Sequence, residues 1–269
     1  MTVRGLPLAL VVGGGELGSA VSHRLVRSGV RVVVSDLSGP TCIRRNVCFA
    51  MALVDGMKEV EGVRGIRADD VAQARALAAQ GAVAVVSGDL RHLIAGLKPD
   101  VLVDARMLKT GEGIARGMAS LVIGLGPGFS AGENADVVIE TKRGHDLGRV
   151  VYRGAAQPDT GRPGDISGFT EERLIRAPAS GPFHSTVRLG SLVARGDILG
   201  HVGDVEVKAP IDGLLRGLVA DGIAVTQGRK MGDVDPRGST IDPCTISDRG
   251  RAVAGGVLEA IMHWWAASI

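Results

Sequence analysis

The sequence predicts an α/β protein in which a parallel sheet covered by helices is followed by a smaller, turn-rich β region and a terminal helix. Three observations predict it. Continuous apolar runs rich in Val, Leu and Ile alternate with helix-like segments through the first half of the chain, as strands buried on both faces do. From Gly124 the texture changes to glycines, prolines and short strands. Near the end, Leu258, Ile261, Met262 and Trp265 recur at helical spacing, so residues 247–267 read as a helix whose tryptophans face a core.

The opening segment is the most specific. An apolar strand over residues 8–12 leads into Gly13-Gly14-Gly15-Glu16-Leu17-Gly18, a helix over 19–28, Gly29, and a second β-branched run ending at Asp36. Gly13 permits a tight turn, Gly15 lets backbone N–H groups approach a pyrophosphate, and Gly18 lets helix and strand pack closely. The helix N-terminus adds N–H donors and a positive dipole end. Asp36 lies about 20 residues on, where a carboxylate binds a ribose hydroxyl. The segment therefore reads as a Rossmann-like dinucleotide unit. Gly13, Gly15, Glu16, Leu17, Gly18 and Asp36 are its candidate cofactor-binding residues, and a βα turn without a ligand is the alternative.

The remaining elements follow in order. Residues 41–55 read as a helix carrying Arg44 and Arg45, and 60–66 as an edge strand or hairpin. Asp69-Asp70 caps a helix over 71–80 that Gly81 stops. Strands are predicted over 82–86, 101–105, 121–123 and 137–139, with a helix over 90–97. These place a Rossmann-like domain at 1–155 and a linker at 156–172. A β domain follows at 173–240, and the C-terminal helix at 247–267.

The β region repeats itself. Ala177-Pro178-Ala179-Ser180-Gly181 recurs as Ala209-Pro210-Ile211-Asp212-Gly213, each followed by a strand, a glycine turn and a Gly-Asp or Gly-Arg step. Two units of this kind predict a pseudo-twofold hairpin structure. It resembles the barrel-sandwich hybrid of biotinyl and lipoyl carriers. The hairpin tip that would carry the modified lysine is Val202-Gly203-Asp204, and Lys208 falls at a strand end, so the module reads as an unmodified docking domain, with a carrier as the further alternative.

Ligands bind at the carboxyl ends of strands in an open parallel sheet. Arg106 and Lys109 follow one strand, and Gly124, Gly126 and Gly128 form a second glycine-rich loop. Glu140-Thr141-Lys142-Arg143-Gly144-His145-Asp146 is a dense polar cluster. This suggests a phosphate-bearing ligand held by two backbone loops, with Lys109, Arg143 and Arg149 as counter-charges and His145 as acid or base. His145 and Lys109 are thus the candidate catalytic residues; Arg143 joins the three loop glycines as candidate cofactor-binding residues. The plainer readings are a solvated Lys109, a simple turn at 124–128, and a hydrogen-bonded His145-Asp146 pair. Arg44 and Arg45 either reach phosphates or face water. No Gly-x-Ser-x-Gly, HExxH or Walker lysine supplies a nucleophile or metal site, so the sequence leaves open whether the chain is an enzyme.

A net charge of +2, without basic blocks, gives no sign of nucleic-acid binding. The three cysteines, Cys42, Cys48 and Cys244, form no CxxC and no disulfide framework. Reduced thiols and the lack of an apolar run of about 18 residues lead us to expect a cytoplasmic chain away from membranes.

Longer strings carry a further resemblance: "RRNVCFAMALVDG", "KPDVLVDARMLK", "VIGLGPGFSAGENADVVIETKRGHDLGRVVYRGAAQPDTGRPG", "APIDGLLRGL", "KMGDVDPRG" and "ISDRGRAVAGGVLEAI". Together they resemble the selenium-dependent molybdenum hydroxylase system protein family, also called the YqeB family, over nearly the whole chain. The resemblance implies a cytoplasmic accessory protein that aids cofactor maturation or insertion. Its partners would be a molybdenum hydroxylase apoenzyme and other maturation factors, and its ligand NAD or molybdopterin cytosine dinucleotide. "GGGELG" departs from the "GAGDLA"-like turn associated with the family, and Cys42 stands where a small residue is expected, which speaks against a family-wide catalytic thiol there. A stand-alone NAD-linked oxidoreductase is the alternative function. A homo-oligomer remains open.

Overall fold

The computed structural model describes residues 5–267. The chain divides into two compact units. The first takes the residues up to Pro40, Val47–Asp159 and those from Ile246; the second takes Thr41–Asn46 and Thr160–Thr245.

In the first unit, strand β1 (Leu8–Val12) is followed by helix α1 (Glu16–Arg27) and β2 (Arg31–Ser35). After two short 3-10 turns come α2 (Ala52–Asp55), the hairpin β3 (Met57–Val60) and β4 (Val63–Arg67), α3 (Val71–Ala79), β5 (Val83–Val86), α4 (Leu90–Leu97) and β6 (Val101–Asp104). Then follow β7 (Leu121–Leu125), β8 (Ser130–Ala131), β9 (Val137–Ile139), β10 (Val150–Val151) and β11 (Gly154–Ala155). The main sheet has nine strands in the order β10-β9-β7-β6-β1-β2-β5-β4-β3. β9 through β4 run parallel, and β10 and β3 are antiparallel edges. From β2 the chain jumps to the β3 edge, steps back through β4 to β5 beside β2, and then crosses to β6 on the other side of β1. The strand order thus reverses between β1 and β6, and the crevice at a topological switch point opens there.

Alternation along β1 explains the layering. Ala9 and Val11 face one core with Leu17, Val21 and Leu25 of α1, whereas Leu8, Leu10 and Val12 face a second with α3 and α4. The first core is completed by the C-terminal helix, α5 (Asp248–Ala266), through Val253, Val257 and Ile261. Met262 is 41% exposed, because the buried stripe of α5 runs through 253, 257, 260 and 261 and position 262 is turned about 100° away. Between β6 and β7, and again between β7 and β9, the connections contain no helix. There Ile114, Phe129 and Ala135 from loops fill the second core.

The expected helix over 41–55 is replaced by a strap. Residues 41–46 belong to the second unit, where Leu218 N–H donates to the Ile43 carbonyl (2.9 Å) and Arg45 Nε donates to the Leu218 carbonyl (2.8 Å). With the strap held by these bonds, the rest of the segment forms two short 3-10 turns and the single-turn helix α2 in place of one long helix.

The second unit contains β12 (Leu174–Arg176), β13 (Gly181–Ser185), β14 (Leu192–Val193), β15 (Ile198–Val202), β16 (Val205–Lys208), β17 (Gly213–Leu218), β18 (Ala224–Val225) and β19 (Lys230–Asp235). They form two four-stranded sheets, β12-β19-β17-β14 and β16-β15-β13-β18. Gly181 and Gly213 open β13 and β17, Leu192 and Ala224 open β14 and β18, and Ile198 and Lys230 open β15 and β19, always 32 residues apart. Exchanging the two repeats converts one sheet into the other. Phe183, Leu199, Leu215 and Val234 fill the space between them. Lys208 lies within β16, paired with Ile198 across the ladder and with Glu206 at 2.8 Å, and the β15–β16 tip holds Gly203 and Asp204.

Candidate functional site

The site begins with the turn between β1 and α1. Gly13 has φ +98°, in the left-handed region, and a Cβ there would press on the Ala105–Arg106 backbone at the end of β6. A Cβ at Gly18 would overlap the Gly13 carbonyl oxygen. Gly15 is different: nothing lies within 4 Å of where its Cβ would stand, so the turn is open at that point. Gly15 is also the N-cap of α1 and offers no side-chain cap to the first-turn N–H groups of Glu16 and Leu17.

Gly14 is gripped at both ends. Its N–H donates to Asp36 Oδ2 at 2.6 Å. Its carbonyl accepts from Ala50 N (3.1 Å) and from Ser19 Oγ (2.8 Å), and that hydroxyl in turn accepts from Phe49 N (2.8 Å). Asp36 Oδ1 accepts from Leu37 N at 2.7 Å. The acid at the end of β2 therefore braces the glycine turn.

On the other side of the crevice, Asp104 is buried at the end of β6. Its oxygens accept from Arg106 N (2.9 Å) and from the Arg106 guanidinium (2.6 Å). Met107 and Lys109 follow with φ of +58° and +67°. Two non-glycine residues in the left-handed region within one loop mark stored strain at the carboxyl edge of the sheet. Lys109 is ion-paired with Asp159.

In the second glycine-rich loop, each of the three glycines makes room for a protein group: Gly124 for the ring of Phe129, Gly126 for Thr141 Oγ1, and Gly128 for the Lys109 backbone. This loop is filled, in contrast to the open position at Gly15. In the polar cluster after β9, buried Glu140 accepts from the backbone N–H groups of Thr141 and Lys142 (both 2.8 Å) and of Gln157 (2.7 Å). It holds the loop in shape. Arg143 forks onto Asp248 at 2.7 and 3.1 Å. His145 is exposed, and Asp146 turns away from it toward Gln157 Nε2 (3.1 Å) and Arg149 (3.4 Å). A depression of about 490 Å³ lies beside β10, lined by Glu140, Asp146, Arg149, Tyr152 and Arg153 among others.

Sequence reasoning missed Arg249. Gly250 in the first turn of α5 packs against Ala20 of α1, and Arg249 Nε donates to the Thr141 carbonyl at 2.8 Å. Burial pulls its guanidinium pKa below the ordinary value, and the Glu16 carboxylate at the start of α1 pulls it back. The only signal in the sequence is its place after the capping Ser247-Asp248 pair, which marks a helix start and says nothing of α1.

Among the described residues, no group of three or more His, Cys, Asp or Glu side chains is placed to hold a metal ion, and no helix is long and apolar enough to cross a membrane. Cys42, Cys48 and Cys244 form no disulfide among the described residues; Cys48 is buried and Cys244 exposed.

No family model matches the chain. Among solved structures it aligns with the ectoine utilization protein EutE (DoeB) from Ruegeria pomeroyi at 15% identity, covering 86% of this chain and 85% of that one with a TM-score of 0.26. It also aligns with an aspartoacylase family protein from Mesorhizobium loti at 12% identity, with coverages of 86% and 85% and a TM-score of 0.29. Superpositions this loose carry no argument about fold or activity. The sequence relative is far nearer. Uncharacterized protein YqeB from Escherichia coli (strain K12) is 46% identical over 258 residues, which is 96% of this chain and 48% of that protein. The chain spans about half the length of this curated relative, and over that half it is a homologue of YqeB.

Proposed function

We propose that this chain is an accessory factor for a selenium-dependent molybdenum hydroxylase, binding a nucleotide-containing ligand at the crevice between β1 and β6. The observation that carries the ligand reading is the glycine turn. It sits at the switch point of the sheet, is open at Gly15, has no side-chain cap on α1, and is braced by an acid at the end of β2. Molybdopterin cytosine dinucleotide and NAD both present the diphosphate that such a turn takes. The pathway reading rests on the string-level resemblance to the YqeB family, with which the homology to YqeB agrees. The two-sheet unit, with no lysine at its hairpin tip, serves in this reading to dock the hydroxylase apoenzyme. A stand-alone NAD-linked oxidoreductase is less well supported, since His145 is exposed and Asp146 does not orient its ring.

The test is reconstitution. A partner hydroxylase produced with this chain is expected to carry more selenium and molybdenum cofactor, and more activity, than the same hydroxylase produced without it. Equal content and activity in both preparations would sink the proposal.

A further inference from the structure

One edge of the nine-stranded sheet is β10, and the depression of about 490 Å³ lies beside it. Backbone groups along an antiparallel pair address the two sides in alternation. The Glu140 N–H donates to the Arg149 carbonyl at 3.0 Å, so residues 149 and 151 address β9. The N–H and C=O of Val150 therefore face away from β9, and Val150 is one of the residues lining the depression. The two carboxylates on its walls are engaged: Glu140 by three backbone N–H groups, Asp146 by Gln157 and, at 3.4 Å, by Arg149. The cations there are less so. The Arg149 side chain is 70% exposed and makes only that long contact. Arg153 is exposed and has no hydrogen bond or ion pair to another described residue. Tyr152, between them in sequence, is exposed too, with its ring 5.4 Å from that of His263 on α5.

From this geometry we infer that the β10 edge takes up an extended acidic segment of a partner protein as an added strand, paired with the Val150 backbone and held by Arg149 and Arg153. The inference does not depend on what the glycine turn holds. Strand addition draws affinity from main-chain hydrogen bonds and specificity from the side chains along the edge. An edge of two residues recruits strands poorly by itself, so the depression and its arginines make the selection. They also disfavour a second copy of this chain. Two β10 edges pairing antiparallel about Val151 set each Arg149 opposite an Arg153, like charges face to face. An acidic strand puts carboxylates there instead, which a guanidinium meets with a two-pronged fork. Arg149 and Arg153 are four residues apart, so along an extended chain their partners lie on one face.

The test is selection of random eight-residue peptides displayed on phage against the whole chain, followed by synthesis of the enriched sequences. We expect enrichment of peptides with acidic residues on one face of an extended strand, and slowed amide hydrogen exchange over residues 150–153 when they bind. Reversing both charges, Arg149→Glu with Arg153→Glu, should weaken binding about 10-fold. Val150→Pro removes the outward N–H and leaves the ladder to β9, as proline on an edge strand does. It should weaken binding roughly 3- to 10-fold. No enrichment of acidic peptides, or exchange slowed elsewhere and not at 150–153, would overturn the inference. Unchanged affinity in either variant would do the same. Should Val150→Pro not fold, N-methylated forms of an enriched peptide decide on the wild-type chain. Methyl groups on the alternate nitrogens that face β10 should abolish binding, and methyl groups on the other set should not. Equal effects of the two sets would refute strand addition.

Discussion

Asp36 and Asp235 show how a carboxylate takes its role from its surroundings. Asp36 accepts from the backbone at Gly14 and Leu37, so a residue expected to meet a ribose also fixes the turn that would meet the phosphates. Asp235 closes β19 with two arginines: Arg216 at 3.0 Å and Arg237 at 2.8 Å. Burial alone would raise its pKa. The hydrogen bonds and charge of Arg237, with the charge of Arg216, overcome that and hold it down to about 2, against an ordinary 3.8. The folded value lies below the unfolded one, so the carboxylate stabilises the fold above about 3.8, and that stabilisation is lost as pH falls from there toward 2. Urea midpoints measured between pH 5 and pH 2 should drop for wild type, and the part of that drop due to Asp235 should vanish in Asp235→Asn. An identical pH dependence in the two proteins would show that this ion cluster does not govern acid stability.

At the scale of elements, the C-terminal helix does what crossover helices usually do in a doubly wound sheet. The connections after β6 and β7 are loops, so α5 returns to cover the outer half of one face beside α1. Its approach depends on bare backbone, because a Cβ at Gly256 would overlap the Gly148 carbonyl oxygen and press on Ile139. Gly256→Val should therefore destabilise the chain by about 1–3 kcal/mol, read as a lowered denaturation midpoint, and wild-type stability would mean that the helix packs otherwise. The periodicity of this helix was readable in the sequence, as were the opening strand–turn–helix, the helix that Asp70 caps, and the strands over 83–86 and 137–139. The strap at 41–46 was not. Thr41, Cys42, Ile43 and Asn46 are weak helix formers, and what fixes the segment is a set of long-range bonds to Leu218 and Asp233 that no local pattern announces.

At the scale of the whole molecule, the 32-residue repeat was visible because each copy needs glycines at the same turns. Its outcome, two sheets that exchange when the repeats exchange, follows from those turns and from the apolar residues between them. The candidate site was only half readable. The glycine turn and Asp36 stand where the motif implies, since strand, turn and helix are contiguous in sequence. The second glycine loop and the cation set were not readable, because what fills the loop and what pairs each cation come from elsewhere in the chain: Phe129, Asp159 and Asp248. Arg249 meets the Thr141 carbonyl only through the return of the C-terminal helix. The central claim is that the turn after β1 holds a nucleotide-containing ligand. The most direct measurement is thermal unfolding of the chain in buffer and with NAD, NADP, FAD, CTP and molybdopterin cytosine dinucleotide. A ligand present at about 100 times its Kd stabilises the native state by about 2.7 kcal/mol, a shift of several degrees in Tm. We predict such a shift with molybdopterin cytosine dinucleotide or NAD; an unchanged Tm with every ligand would contradict the account and leave the glycine turn as a structural feature of the sheet.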